Sequence, residues 1–120
     1  MPTTNELWTA LSTCMHELVD LDGVLGLMSW DEETNAPLGG ATDRGDQAAT
    51  IEAIRHQKLV HANLGDLIAA LWSKSDLESE QRCCLERLVR LRDRAMKVPE
   101  SLVRALARVR PTAIRAWQTA

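Results

Sequence analysis

Leu7, Leu11, Cys14, Leu18, Leu21, Leu25 and Met28 follow one another at alternating steps of four and three residues. That rhythm sets all of these side chains along one side of an α-helix, whereas a half-buried strand requires strict alternation. The first quarter of the chain therefore reads as one long amphipathic helix, begun through Thr3 and Glu6, whose spacing suits a capping box. Gly23 and Gly26 lie inside it at a cost of about 1 kcal/mol each relative to Ala. Their presence predicts a place where another backbone comes close.

The same period recurs downstream. A second helix is expected over 43–59, with Ala48, Ile51 and Ile54 inward, and a shorter one over 64–73 with Asn63 as N-cap. Ser75 and Glu78 have capping-box spacing, after which Leu77, Cys84, Leu88, Leu91, Ala95 and Val98 form an inward stripe. Val98-Pro99 ends that helix, and Pro99 suits the first position of the next. There Leu102, Leu106, Val109, Ala113 and Trp117 keep helical spacing, while Pro111 is expected to kink the helix or split it. No strand pattern occurs. The fold class is all-α, five to six amphipathic helices in an antiparallel bundle or hairpin-like array, as a single helical domain over 1–120.

Charge and composition narrow the function classes. The 120 residues are 45% hydrophobic and 26% charged, and no apolar run has the roughly 18 residues needed to cross a bilayer. The polar start MPTTNELW lacks the basic and apolar parts of a signal peptide, which predicts a cytoplasmic protein. Cys14, Cys83 and Cys84, an odd set without Cys-x-x-Cys spacing, are expected as reduced structural thiols. Net charge is -3, but residues 1–79 carry 13 acids against 4 bases and residues 80–120 carry 4 acids against 10 bases. This asymmetry fits helices of opposite charge packing together, or an acidic partner. A nucleic-acid surface would draw on Arg82, Arg87, Arg90, Arg94, Arg104 and Arg108, yet no recognition motif accompanies them and Tyr and Phe are absent. Neither nucleic acid nor a membrane is expected as a partner.

No catalytic constellation emerges. A zinc-peptidase helix places His at i and i+4 with Glu after the first, whereas His16-Glu17-Leu18-Val19-Asp20 ends on Asp. His56 and His61 stand five residues apart and face different sides of a helix. Asp31, Glu32 and Glu33 are consecutive and point in different directions, a poor cation site. No catalytic or metal-binding residue is assigned within the chain.

The segment SWDEETNAPLGGATDRGDQ, residues 29–47, is denser in turn-forming and charged residues than a simple helix connection requires. Trp30, Asp31, Thr34, Pro37, Gly39, Gly40, Arg44 and Gln47, after a Leu-rich helix and before Val98-Pro99 and Ala116-Trp117, resemble the N-terminal portion of the carboxypeptidase Taq family of metallocarboxypeptidases. Ala36 and Leu38 depart from that family's pattern, as does Pro111. The resemblance implies an all-α fold around a deep groove, removal of single residues from peptide C-termini, and a divalent, zinc-like metal held by a His-Glu-x-x-His helix. It also implies homodimers and makes this chain an outer wall of the groove. The His-Glu-x-x-His itself is missing here, so the chain is expected to be inactive alone.

Within that frame the family-motif residues are expected to be structural, with contact to peptide substrate in the full-length enzyme as the alternative. Trp30 plugs the space between the first two helices, Asp31 caps a helix end or pairs with Arg44, and Gly39 and Gly40 permit a tight path. Arg44-Gly45-Asp46 falls where a helix begins rather than on a loop tip. Because IRAWQTA stops inside an apolar-periodic segment, the chain is expected to be the front of something longer. Its partners are then the remainder of the peptidase or a second copy. The alternative is a stand-alone dimerisation or protein-interaction module built on the apolar stripes of the first and fourth helices.

Overall fold

The computed structural model describes residues 1–34 and 38–120, Leu38 by its backbone alone. Among them are five α-helices and no strand: α1 Thr4–Thr34, α2 Ala41–Val60, α3 Ala62–Trp72, α4 Ser79–Met96 and α5 Glu100–Thr119, with a 3-10 turn Leu38–Gly40 leading into α2. The protein is all-α. It is elongated, 56 × 25 × 19 Å, because α1 alone spans about 45 Å at 1.5 Å per residue.

Local chemistry sets the helix ends. The Thr3 N–H donates to Glu6 Oε2 at 2.9 Å and the Glu6 N–H to Thr3 Oγ1 at 3.1 Å, the reciprocal box expected at the start of α1. At α4 the box is formed by Glu78 and Gln81, three residues later than Ser75 would have it. Ser75 lies outside because the chain between α3 and α4 is held elsewhere. The Thr4 hydroxyl donates to Asp76 Oδ1 at 2.6 Å, and Lys74 Nζ donates to the Pro2 carbonyl at 3.3 Å. His61, not Asn63, caps α3, its ring Nδ1 accepting the Asn63 N–H at 3.0 Å. Arg92 Nη1 donates to the carbonyls of Leu59 and His61 at 2.9 and 3.1 Å, so a cation sits at the carbonyl end of α2 where the helix dipole favours it. Gly65 leaves room for that guanidinium, since a Cβ there would lie 2.6 Å from Arg92 Nη2.

The two ends of the molecule pack differently, and α2 joins them by touching all four other helices. At one end Leu7, Leu11 and Leu18 of α1 meet Leu59, then Leu64, Ile68 and Leu71 of α3 and Leu85 and Leu88 of α4. This is the apolar core. At the other end α2 and α5 lie close together over small residues: Gly45, Ala49 and Ala53 of α2, at steps of four, are buried with Ala107 of α5. A Cβ at Gly45 would come 2.5 Å from the Arg108 carbonyl oxygen.

Several expectations change accordingly. The inner face of α2 is Gly45, Ala49 and Ala53 rather than Ala48, Ile51 and Ile54, because closeness to α5 selects small side chains. Gly23 and Gly26 admit no neighbouring backbone, as nothing lies within 4 Å of a Cβ built at either. On α4, Leu85 is buried beside Leu88 while Leu91 is 43% exposed. On α5, Ala107 and Pro111 are buried, and Leu102, Leu106, Val109, Ala113 and Trp117 are exposed. Pro111 does not divide α5. Its ring packs inward, and beyond it Arg115 is tied back to α1, which holds the last turns in line although one backbone hydrogen bond is forgone.

Candidate functional site

The family-motif segment lies where the C-terminal end of α1 meets the start of α2 and the second half of α5. Asp31 extends from α1 and accepts a hydrogen bond and ion pair from Arg44 Nη2 across the connection. Arg44 Nη1 also donates to Gln47 Oε1, one turn further along α2, at 3.2 Å. The structure thus brings Asp31, Arg44 and Gln47 together. Thr34 folds back on its own helix, its hydroxyl donating to the Trp30 carbonyl at 2.7 Å.

Trp30 does not plug the space between α1 and α2. It is 59% exposed, because Asp31 and Glu32 turn toward α2 and α5 and rotate their neighbour outward. Pro37 lies outside the described residues. Gly39 and Gly40 form part of the 3-10 turn, and neither has a positive φ. Gly40 is the N-cap of α2 at φ -89, ψ -3, without a side-chain cap. Arg44-Gly45-Asp46 is helical, within α2.

The residue that sequence reasoning missed is Glu32. It is the one buried charged side chain among the described residues, at 4% exposure. Arg115 Nε donates to its Oε1 at 3.0 Å, and Arg115 Nη2 reaches the Glu32 carbonyl at 3.4 Å. Oε2 is buried without a hydrogen-bond partner among the described residues. Glu32 is among the residues that line a cavity of about 80 Å³, with Leu25, Met28, Arg44, Arg110 and Pro111. A signal for this residue existed. Glu32 stands four residues after Met28, the next step of the apolar stripe of α1, and an acid on a buried stripe requires a cation from elsewhere in the fold.

Both carboxylates are engaged by guanidinium groups, so this cluster is suited to holding three helices in register. No metal donor set is assembled: no group of three or more His, Cys, Asp and Glu able to hold a metal ion occurs among the described residues. His56 Nε2 lies 2.9 Å from the Ala95 carbonyl, an acceptor, and so must carry the proton. His61 Nδ1 is taken by the α3 cap. His16 is exposed on α1 beside Glu17, whose carboxylate pairs with Lys58 at 2.9 Å. These residues do not fit the metal of a peptidase. The three cysteines are free, Cys84 Sγ lying 3.6 Å from Met15 Sδ, and Cys83 is exposed. No helix among the described residues is long and apolar enough to cross a membrane.

The model of the Carboxypeptidase Taq (M32) metallopeptidase family matches residues 10–120, from the second turn of α1 through α5. No curated protein and no solved structure matches the chain. A family match over nearly the whole length, on a helical array whose α1–α2 corner joins Asp31, Arg44 and Gln47, assigns the chain to the carboxypeptidase Taq (M32) family of metallopeptidases.

Proposed function

We propose that this chain is the N-terminal helical wall of the groove of a metal-dependent carboxypeptidase that releases single residues from peptide C-termini. The metal, the water-activating Glu and the ligands come from the remainder of the peptidase. By itself the chain is inactive. The Asp31–Arg44–Gln47 and Glu32–Arg115 contacts hold the wall's shape instead of touching substrate.

The observation that carries this reading, beside the family match, is the outer face of α5. Leu102, Leu106, Val109 and Trp117 are 46, 52, 58 and 83% exposed, on a helix whose opposite face is well packed. A row of large apolar side chains at helical spacing is suited to burial against more protein.

The test is complementation. The chain is co-expressed with a separate polypeptide carrying the rest of a family peptidase, including its His-Glu-x-x-His, and release of C-terminal residues from an unblocked peptide is followed with and without chelator. Chelator-sensitive release only when both pieces are present is the expected result. Equal release without this chain, or release by this chain alone, overturns the reading. The same apolar row also suits a stand-alone dimerisation module, for which the expected signature is a concentration-dependent mass and no complementation.

A further inference from the structure

A second uncovered surface lies away from the α5 face. A groove of about 510 Å³ runs between α1 and α4 over α2, with Met15 and Val19 on one side, Leu88 and Leu91 on the other and Leu59 at its floor. Val19 is 63% exposed and Leu91 43%. The charges around it are ordered along α4. Glu80 stands at the N-terminal end, and an Asp22–Arg55 ion pair at 2.6 Å sits on the α1–α2 side. Toward the C-terminal end Arg87, Arg90 and Arg94 surround Leu91 and line a shallow hollow of about 170 Å³ that shares Arg87 and Leu91 with the groove. None of these three arginines makes an ion pair or side-chain hydrogen bond among the described residues. Like charges one turn apart on a helix repel, and an anionic neighbour relieves that repulsion.

We propose that this groove takes an amphipathic helix of a partner polypeptide, acidic in its C-terminal half and lying parallel to α4. The apolar walls call for anchors at i, i+3 or i+4 and i+7. From Glu80 to Leu91 α4 rises about 16 Å at 1.5 Å per residue, which matches three turns of a docked helix. Acids over Arg87, Arg90 and Arg94 complete the charge match. The negative pole of the docked helix then faces the arginines and its positive pole faces Glu80, which sets its direction. Single-stranded nucleic acid is the poorer occupant, because no aromatic side chain lines the groove to stack a base.

The experiment uses the complete chain and a fluorescent peptide about as long as α4, with Leu at the anchor spacing and Glu confined to its C-terminal half, followed by anisotropy. Two control peptides carry Lys in place of Glu, or the acids in the N-terminal half. A uridine oligonucleotide serves as the nucleic-acid probe. The expected result is binding of the first peptide in preference to both controls and slower alkylation of exposed Cys83 in its presence. The triple variant R87E/R90E/R94E lowers affinity by roughly tenfold or more, three exposed ion pairs being lost and reversed. Leu91→Asp does likewise. Circular dichroism and the urea midpoint verify folding, and the arginine variant, altered only at exposed positions, keeps the test valid if Leu91→Asp does not fold. Equal binding of the Lys peptide, unchanged affinity after charge reversal, or preference for the oligonucleotide overturns the proposal. So does sedimentation showing a dimer that Leu91→Asp dissociates, which would place a second copy in the groove. Because the readout is peptide binding, its failure leaves the complementation result on α5 unaffected.

Discussion

Glu32 and Arg115, 83 residues apart in sequence, meet at 3.0 Å and join the C-terminal end of α1 to the later part of α5. The acid is buried and the base is one-fifth exposed. Replacing Arg115 with Ala leaves a buried carboxylate without its counter-ion, an expected loss of about 3 kcal/mol in urea unfolding. Replacing both partners by Leu, which removes the unpaired charge as well, is expected to recover most of that loss. A double variant no more stable than Arg115→Ala would show that the pair is not what the single substitution disrupts.

Glycine substitutions divide the helices by what lies opposite. Gly45→Ala places a methyl group against the Arg108 backbone, and separating α2 from α5 is expected to destabilise the protein by about 1–3 kcal/mol despite the better helix former. Gly23→Ala and Gly26→Ala meet nothing within 4 Å, so each is expected to stabilise by up to about 1 kcal/mol. Melting temperatures of the three variants, shifting in opposite directions, check both statements.

Acid unfolding has two identifiable contributors. The hydrogen bond from Thr4 holds the Asp76 carboxyl below its usual value, and hydrogen bonds from Gln57 and then Arg104 do the same for Glu100. A carboxyl whose pKa is lower folded than unfolded adds stability that is whole above its unfolded value and is lost as pH falls through the folded one. Stability is therefore expected to decline with acidification below the ordinary carboxylate range. Glu100→Gln and Asp76→Asn should each make that decline shallower, as read from melting temperature between neutral and acid pH.

Burial separates the two kinds of leucine. Leu85 is fully buried, and Leu85→Ala is expected to cost about 2–5 kcal/mol. Leu106→Lys on the open face of α5 is expected to change the stability of the isolated chain by less than about 0.5 kcal/mol. The same Leu106→Lys chain should nonetheless lose complementation with the remainder of the peptidase. Unfolding curves and the release assay on both variants read this contrast directly.

The legible parts of the protein were those governed by neighbours in the chain. The stripe from Leu7 to Met28 and the Thr3–Glu6 box marked out α1, because spacing within one helix decides both. The Asp31–Arg44 pair was within reach as well, since a short connection brings its partners together. Glu32 sat in plain view on the continuation of the stripe, but its partner 83 residues away could be named only from the packed structure. The interior of α2 was missed because the side chains that let α5 approach, Gly45, Ala49 and Ala53, are too small to register as an apolar face. On α5 the large apolar residues carry the helical period, but Ala107 and Pro111 are the ones buried.

The number of helices, the start of α1 and the family could be read along the chain, because helical periodicity, the Thr3–Glu6 box and motif residues at a short connection are local properties. Which face of each helix turns inward, where Glu32 finds its charge and which apolar surfaces stay uncovered are set by packing between helices. Those outcomes depend on how closely two backbones can approach, and a Cβ too many at one crossing or a buried charge without its partner changes them with little effect on the pattern read along the chain.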